Sequence, residues 1–202
     1  MYAGAVPDLL RRLLIRRKRF GEGELRARER FRRDYQKLAA NLLARLEFDS
    51  VLDIGCANGF LLEAFQDAGK RIGGVELSQA TVAVLPESVA PFVTIGDFSM
   101  ASGRWDLVCC VEMAEHIEPG RSVDLVDVVS GAASRHVYFT AAPPGQPGRG
   151  HVNCRAHGEW LGWFAARGWI LDCGGTEALR ADLGALEQAV WLRCNSLILR
   201  RV

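Results

Sequence analysis

The sequence predicts an α/β fold, in which helices cover both faces of a mostly parallel, seven-stranded sheet that follows an N-terminal helical extension. Two observations support this prediction. An apolar run at 51–54, a glycine-rich turn, an amphipathic segment at 60–68 and a second apolar run at 72–75 form one strand–helix–strand unit. The run at 105–111, WDLVCCV, is almost continuously apolar, as strands buried on both faces of a parallel sheet are.

The composition is that of one globular domain with an extension. The chain has 202 residues, of which 49% are hydrophobic and 24% charged. No apolar run approaches the roughly 18 residues that a membrane-spanning helix needs, and the first residues lack the order of a secretory signal. The six cysteines form no C-x-x-C pair, so we interpret them as reduced thiols of a cytoplasmic protein, with neither disulfides nor a zinc site.

The N-terminal segment, residues 1–48, is predicted to form two basic helices, at 6–19 and 24–46, ahead of the α/β domain at 49–202. Residues 1–40 contain twelve Lys or Arg and five acids, a charge of +7. Because the whole chain carries +1, the remainder carries −6. Such a basic segment can pair with the acidic domain, or it can bind nucleic acid, a membrane surface, an anionic substrate or a partner subunit.

Further apolar and amphipathic runs complete the predicted order of elements. Gly69 is placed to end the first helix of the strand–helix–strand unit, and Ser78 can cap the helix after it. The later elements are helix 79–85, strand 91–95, strand 105–111, helix 121–133, strand 136–140, helix 156–167, strand 169–171 and strand 191–199. Prolines and glycines at 141–153 predict a long irregular loop at the carboxyl edge of the sheet, where such loops are commonly functional.

The glycine-rich turn indicates which ligand the strand–helix–strand unit holds. Its spacing is Asp53-x-Gly55-x-x-x-Gly59, with Cys56 and an alanine where a dinucleotide fingerprint has its phosphate glycine. A side chain at either glycine would block close approach of a ligand to the backbone. An acid before the first glycine disfavours phosphate and favours a cationic ligand. Glu76, at the end of the second strand, is placed to accept hydrogen bonds from ribose hydroxyls.

This stretch resembles motif I and the following acidic strand end of class I S-adenosylmethionine (SAM)-dependent methyltransferases. The resemblance implies a Rossmann-like sheet with an antiparallel last strand, SAM as cofactor, and N-terminal helices that act as a lid or an interface. It also implies that Asp97 accepts a hydrogen bond from the adenine amino group and that Phe98 flanks the ring, although Asp97 also suits a plain turn. The expected cofactor-binding residues are Asp53, Gly55, Cys56, Gly59, Glu76, Leu77, Asp97, Phe98 and Glu112.

The first cluster that can perform chemistry is Glu112-x-x-Glu115-His116, directly after the strand at 105–111. On a helical turn these three side chains would share one face, and two carboxylates with an imidazole suit Mg²⁺ or another divalent cation. The cluster resembles the E-x-x-E-H element of small-RNA 3′-terminal 2′-O-methyltransferases, where it binds metal together with a downstream histidine. The E-H pair also recurs in metal-free methyltransferases, with the histidine near the cofactor or acceptor, so both interpretations remain open.

The second cluster lies in the loop at 141–153. His151 stands in a polar segment, where it can serve as general base or as a metal ligand, with Gln146 and Asn153 holding the acceptor. A structural histidine is the alternative. The predicted catalytic residues are His151, His116 and Glu115, and the predicted metal ligands are Glu112, Glu115, His116 and His151.

Both clusters together are similar to those of small bacterial sugar O-methyltransferases of polysaccharide biosynthesis, including the divalent-metal-assisted methylmannose polysaccharide 1-O-methyltransferases. This resemblance implies a small-molecule or oligosaccharide acceptor, methylated on a mannoside-type hydroxyl. Pro144 and Pro147 depart from the pattern of the loop.

Two alternative functions stay open, and so does the oligomeric state. Because the N-terminus is rich in arginine, an RNA 3′ end is a second candidate for the acceptor. The longer aromatic and basic segment of the RNA enzymes is absent from this sequence. A non-catalytic SAM-binding or scaffold subunit would use the same motif without turnover. A homodimer through the N-terminal helices is also compatible with the sequence.

Overall fold

A computed structural model of the protein describes residues 21–202. The strands are β1 Ser50–Ile54, β2 Arg71–Glu76, β3 Val93–Ile95, β4 Trp105–Val111, β5 Ala133–Thr140, β6 Trp169–Leu171 and β7 Leu197–Arg201. They form one seven-stranded sheet in the order β3-β2-β1-β4-β5-β7-β6. The pairs among β1 to β5 are parallel, whereas β7 runs antiparallel to both of its neighbours. The predicted mostly parallel sheet with an antiparallel last strand is therefore confirmed.

Helices pack on both faces of this sheet. They are α1 Glu22–Ala27, α2 Arg32–Arg45, α3 Phe60–Asp67, α4 Ser122–Ala132, α5 His157–Ala165, α6 Cys173–Asp182 and α7 Trp191–Asn195. One hydrophobic core contains the buried sides of α2, α3, α6 and α7, and the other contains those of α4 and α5. The predicted helix at 6–19 lies outside the described residues. No helix within 21–202 combines the length and the apolar character that crossing a membrane requires.

The predicted strand at 191–199 is wrong in its first half, because residues 191–195 form α7 and β7 begins only at Leu197. Within α7 the buried side chains are Leu192 and Asn195, which lie three positions apart. That spacing puts both on one face of a helix, whereas a half-buried strand would alternate. The helical turn matters for function, because it brings the side chain of Asn195 to the candidate site.

Two shorter elements also differ from prediction. The third strand begins at Val93 rather than Pro91, because residues 90–92 form a 3₁₀ turn with proline near its start. Proline cannot donate to the sheet ladder and is tolerated at the start of a helical turn. The predicted helix at 79–85 is a five-residue 3₁₀ turn, Gln79–Ala83, capped by the residue that the sequence indicated.

The helix α2 belongs to the same core as the sheet. Tyr35, Leu38 and Leu42 are buried on one of its faces and pack in the core that contains α3. On the same helix the carboxylate of Asp34, itself 1% exposed, accepts hydrogen bonds from three consecutive backbone N–H groups at 187–189, at 2.7–3.1 Å. This clamp joins the N-terminal part of the fold to the segment that leads into α7. Whether residues 1–48 act as a lid or an interface stays a prediction.

Replacing Asp34 with alanine should destabilise the protein by about 3 kcal/mol, since three backbone N–H donors would lose their charged acceptor. The measurement is the free energy of unfolding from urea denaturation at neutral pH. Asp67→Ala, at the end of α3, serves as the control and is expected to change stability by less than about 0.5 kcal/mol. Equal stability of the Asp34 variant and the wild type would contradict the clamp.

Candidate functional site

A cavity of about 300 Å³ opens at the carboxyl edge of β1, β2, β3 and β4. Parallel α/β sheets bind their ligands at this edge. Six of the predicted cofactor residues line the cavity, namely Gly55, Glu76, Leu77, Asp97, Phe98 and Glu112. Further lining residues, which the sequence did not predict to bind the cofactor, include Arg28, Met113, His116 and Arg121.

Two backbone N–H groups hold the carboxylate of Glu76 in the cavity wall. Ala57 N donates to Oε2 at 3.0 Å and Ser78 N donates to Oε1 at 2.8 Å. Each oxygen can still accept a second hydrogen bond, because a carboxylate offers about four lone pairs. The glutamate is therefore positioned to receive two vicinal hydroxyl groups, as a ribose would present them.

A smaller pocket of about 20 Å³ adjoins this cavity and shares Gly55 and Arg28 with it. Asp53, which is 4% exposed, and Asn58, which is 3% exposed, both line this smaller pocket. Their side-chain oxygens Oδ1 are buried and accept no hydrogen bond from any residue between 21 and 202. Burial, followed by the charge of Glu76, raises the pKa of Asp53 to about 7. Two adjacent acceptors without a donor fit an ammonium group.

The two positions Gly55 and Gly59 of the turn require glycine for different structural reasons. Gly55 has φ +83°, and a Cβ there would lie 2.6 Å from Cγ of Met113, which lines the cavity. Gly59 has φ +70° and starts α3, but a Cβ there would lie 2.8 Å from Cδ2 of Leu85 and outside both cavities. A left-handed φ and the packing of Leu85 already require glycine at this position, and the role of Gly59 in ligand approach stays a prediction. Cys56 lines only the small pocket.

Asp97 lies at the far side of the cavity in a bidentate ion pair with Arg121. The two nitrogen–oxygen distances are 2.7 and 2.8 Å, and the guanidinium carbon lies 4.2 Å from the ring centroid of Phe98. The hydrogen bonds from Arg121 lower the pKa of Asp97 to about 2, so the carboxylate stays ionised at neutral pH. It can therefore accept a further hydrogen bond, and Arg121 holds both acid and ring in place.

The second cluster of chemical interest forms beside this cavity, where Glu115, His116 and His151 offer ligand atoms within 4.8 Å of one another. We call these three residues the metal group. Nε2 of His151 lies 3.9 Å from Oε1 of Glu115, and the two imidazole centroids are 5.1 Å apart. Two residues of the group come from the 3₁₀ turn Ala114–His116, and the third comes from the loop at 141–153.

The carboxylate of Glu115 is fully buried, and within residues 21–202 neither of its oxygens has a well-aligned hydrogen-bond donor, although the backbone N–H of Ala142 lies near enough to favour the ionised form. Burial, and secondarily the charge of Glu112, raises the pKa of Glu115 to about 8. An ionised carboxylate in such a place needs a cation. With two imidazoles beside it, the donor set fits a divalent metal ion.

Backbone carbonyls orient both histidines. Nδ1 of His116 lies 3.2 Å from O of Gly150, and Nδ1 of His151 lies 3.2 Å from O of Gln146. A carbonyl only accepts, so each Nδ1 carries the hydrogen and each Nε2 is the basic nitrogen. Burial lowers the pKa of His116 to about 4, so this imidazole is neutral at pH 7. Neutral imidazoles can bind a metal, and they can accept a proton.

The structure does not place Glu112 in the metal group, which corrects the predicted set of four ligands. Glu112 has a left-handed backbone, φ +49°, and the helical turn starts only after it. The three acidic and imidazole side chains therefore do not share one helical face. Nδ2 of Asn195 donates to its Oε1 at 2.9 Å, and Nε2 of Gln146 lies 3.4 Å from its Oε2.

Asn153 was expected to hold the acceptor, but its polar atoms form hydrogen bonds with other residues of the protein. Nδ2 donates to O of Ala114 at 3.0 Å and to Oγ of Ser122 at 2.9 Å, and Oδ1 accepts from Nε of Arg155 at 2.8 Å. The side chain is 3% exposed. It fastens the end of the loop to the turn that bears the metal group, which is a structural role.

Sequence reasoning missed three residues of the site. Arg28 lines both cavities, Arg121 orients Asp97, and Asn195 binds Glu112. An ion pair between Arg149 and Glu24 also joins the loop to α1. The helical spacing of the buried positions 192 and 195 was the signal that could have revealed α7. No local signal exists for the arginines, because they reach the site from distant positions in the sequence.

Comparison with known families matches residues 24–137 to the model of a methyltransferase domain. Among curated proteins, the ubiquinone biosynthesis O-methyltransferase of Thiobacillus denitrificans is 36% identical over 89 residues, which cover 40% of this chain and 38% of that protein. The enzyme of the same name from Bordetella avium is 32% identical over 97 residues, covering 44% and 39%. The matches thus span about two fifths of these relatives, which are not sugar methyltransferases.

Solved structures share the fold at low identity. The magnesium protoporphyrin IX methyltransferase of Synechocystis PCC 6803 superposes with a TM-score of 0.64 at 17% identity, covering 85% of this chain and 83% of that one. The geranyl diphosphate C-methyltransferase of Streptomyces coelicolor A3(2) superposes with a TM-score of 0.58 at 15% identity, covering 81% and 78%. The acceptors of these two enzymes differ widely, so the shared fold leaves the acceptor open.

Proposed function

The chain belongs to the methyltransferase-domain family and uses SAM as methyl donor, and from this premise we propose that it methylates a hydroxyl oxygen of its acceptor beside the metal group. The observation that supports this proposal is the buried carboxylate of Glu115, without a well-aligned hydrogen-bond donor in residues 21–202, next to two imidazoles. An alcohol is a poor nucleophile until it loses its proton. A buried base or a metal ion at the cavity edge provides for that loss.

The binding residues follow from the cavities. Glu76 accepts the ribose hydroxyls, Asp97 accepts from the adenine amino group, and Phe98 contacts the ring. The small pocket receives the amino-acid end, with the ammonium at Oδ1 of Asp53 and of Asn58. Bound in this way, the cofactor supplies a methyl group already activated by a sulfonium.

The chain's own residues then align the acceptor and take up its proton. As the new C–O bond forms and the C–S bond breaks, the hydroxyl proton passes to Nε2 of His151, which is the basic nitrogen of that ring. Alternatively, Nε2 of His151 would be a ligand together with Glu115 and His116, and a divalent cation such as Mg²⁺ held there would lower the pKa of the acceptor hydroxyl, so that its proton could pass to water. The loop at 141–153 lies beside this site and is joined to α1 by the ion pair of Arg149 with Glu24.

We propose a sugar or oligosaccharide hydroxyl of mannoside type as the acceptor. The family match ends at 137, before the loop at 141–153, so the segment beside the metal group lies outside the shared region. That loop is where the sequence resembles sugar O-methyltransferases. A hydroxyl of a ubiquinone precursor is the second candidate, favoured by the names of the curated relatives.

The test is transfer of a radiolabelled methyl group from SAM to methyl mannosides, a hydroxylated benzoquinol and a short RNA, each with and without EDTA. We expect labelled mannoside, loss of activity in EDTA, and recovery with Mg²⁺. His151→Ala should lower kcat by about 100-fold, whereas His136→Ala, on β5 and distant from the cavity, is the matched control. Unchanged turnover in EDTA together with an active His151 variant would refute the role of the metal group.

Each acceptor in this assay distinguishes a different function. Labelling of the quinol alone would support the second candidate, a hydroxyl of a ubiquinone precursor. Labelling of the RNA alone would support 2′-O-methylation of RNA ends. SAM binding without transfer to any acceptor would support the scaffold alternative.

A further inference from the structure

A network of three side chains joins Glu112 to two distant segments of the chain. Nδ2 of Asn195 donates to Oε1 of Glu112 at 2.9 Å and to Oε1 of Gln146 at 3.0 Å, which uses both hydrogens of that amide. Asn195 is 1% exposed, at the end of α7. Gln146 comes from the loop at 141–153, and its Nε2 lies 3.4 Å from the other carboxylate oxygen of Glu112.

The network decides where the Glu112 carboxylate points. Glu112 directly follows the last residue of β4, and its carboxylate lies close enough to that of Glu115 to raise the pKa of Glu115, yet outside the metal group. The backbone of Glu112 is left-handed, a conformation that residues with a side chain rarely adopt. The hydrogen bonds from Asn195 and Gln146 hold the side chain in this arrangement.

Deepening the function proposed above, and resting on its metal group, we propose that Asn195 is a positioning residue that keeps Glu112 out of the metal group. Three protein donors, from Glu115, His116 and His151, would then hold a divalent ion and would leave part of its coordination shell for other ligands. The remaining positions are open to water and to the acceptor oxygen. A fourth protein ligand at Glu112 would bind the ion more tightly and leave less room for the acceptor.

Removal of the Asn195 amide should therefore release Glu112 toward the ion. In Asn195→Ala we expect Mn²⁺ to bind about tenfold more tightly, because an additional carboxylate ligand increases affinity for hard cations. The KM for the acceptor should rise at the same time. The measurement is free Mn²⁺ by electron paramagnetic resonance during titration of the full chain, which needs no turnover.

Three further variants make the result decisive. Asn195→Ala combined with Glu112→Gln should return Mn²⁺ affinity to the wild-type value, because the released carboxylate is gone. Gln146→Ala, in a half-exposed loop position, should tighten Mn²⁺ binding less than Asn195→Ala does. It reports on the network if the Asn195 variant does not fold. Asn41→Ala is the control, since the side-chain amide of this asparagine donates to the backbone of its own helix, at 2.9 Å.

The outcomes separate this inference from the proposed function. If the wild type binds Mn²⁺ and the folded variants bind it equally well, the positioning role of Asn195 is wrong and the metal group stands. If the wild type binds no Mn²⁺, both the metal group and the role of Asn195 are wrong. Tighter binding in the single variant, reversed in the double variant, supports the inference.

Discussion

Replacing Glu115 with glutamine is expected to abolish divalent-metal binding and to lower methyl transfer by about 100-fold or more. The carboxylate is the only acid of the metal group, and glutamine keeps its shape while removing its charge. Turnover in saturating Mg²⁺ and Mn²⁺ binding are the measurements. Glu47→Gln is the control, because that glutamate is exposed and far from the cavity.

The same substitution should stabilise the metal-free protein above neutral pH. The pKa of Glu115 is about 8 in the fold against 4.5 for an ordinary glutamate, so the unfolded chain binds fewer protons than the native protein between these values. Stability that is present below pH 4.5 is therefore lost as pH rises toward 8. Glutamine does not titrate, so the variant should have the higher melting temperature at pH 8 in EDTA, and the difference should vanish near pH 4.5.

An excess of Mg²⁺ should reverse this order, because the wild type alone gains from binding the ion. A Glu115→Gln enzyme that keeps metal-dependent turnover would show that another group binds the cation. A lower melting temperature of the variant at pH 8 would show instead that the buried carboxylate already has a stabilising partner.

Replacing Asp53 with asparagine should weaken SAM binding by about 100-fold, equivalent to roughly 2.7 kcal/mol for the loss of a buried charge pair. The carboxylate faces the small pocket, where its Oδ1 accepts no hydrogen bond from the described residues. Asparagine conserves the shape and removes the charge that pairs with the ammonium. Isothermal titration calorimetry with SAM measures the difference, and Asp49→Asn, in the exposed turn before β1, is the control.

The wild-type affinity should also depend on pH in a defined direction. Burial raises the pKa of Asp53 to about 7, and only the ionised form pairs with a cation. SAM binding should therefore strengthen between pH 6 and 8, by up to about tenfold per pH unit below 7. The ammonium of SAM titrates in both proteins, so the difference between wild type and Asn variant isolates Asp53. Parallel pH profiles of the two would contradict its role.

Much of the cofactor side was predictable, because its signals are local. The run at 51–54, the turn with Gly55 and the acid at Glu76 lie within 26 residues of one another, and each forms its element through its own pattern. The structure brings Glu76, Asp97 and Phe98 to one cavity, as expected from the parallel order of β1, β2 and β3. Their binding roles remain predictions.

The acceptor side was less predictable, because spacing alone does not reveal the backbone conformation. The three-residue spacing from Glu112 to Glu115 suggested a shared helical face, but Glu112 has φ +49°. The apolar run before β7 suggested a strand, and tertiary packing made it the helix α7. Asn153 is of a residue type that often binds ligands, but its side chain makes three hydrogen bonds that stabilise the fold.

The sequence by itself determined the fold class, the methyltransferase family and six of the residues that line the cavity, since each depends on short contiguous patterns. Only the tertiary structure decided which acids and imidazoles meet. His151 reaches Glu115 from 36 positions away, and Asn195 reaches Glu112 from 83 positions away. Contacts over such separations depend on how the loop and α7 pack against the sheet edge. For that reason the three-residue metal group, and the hydrogen bond that Asn195 donates to the neighbouring Glu112, emerged only from the folded chain.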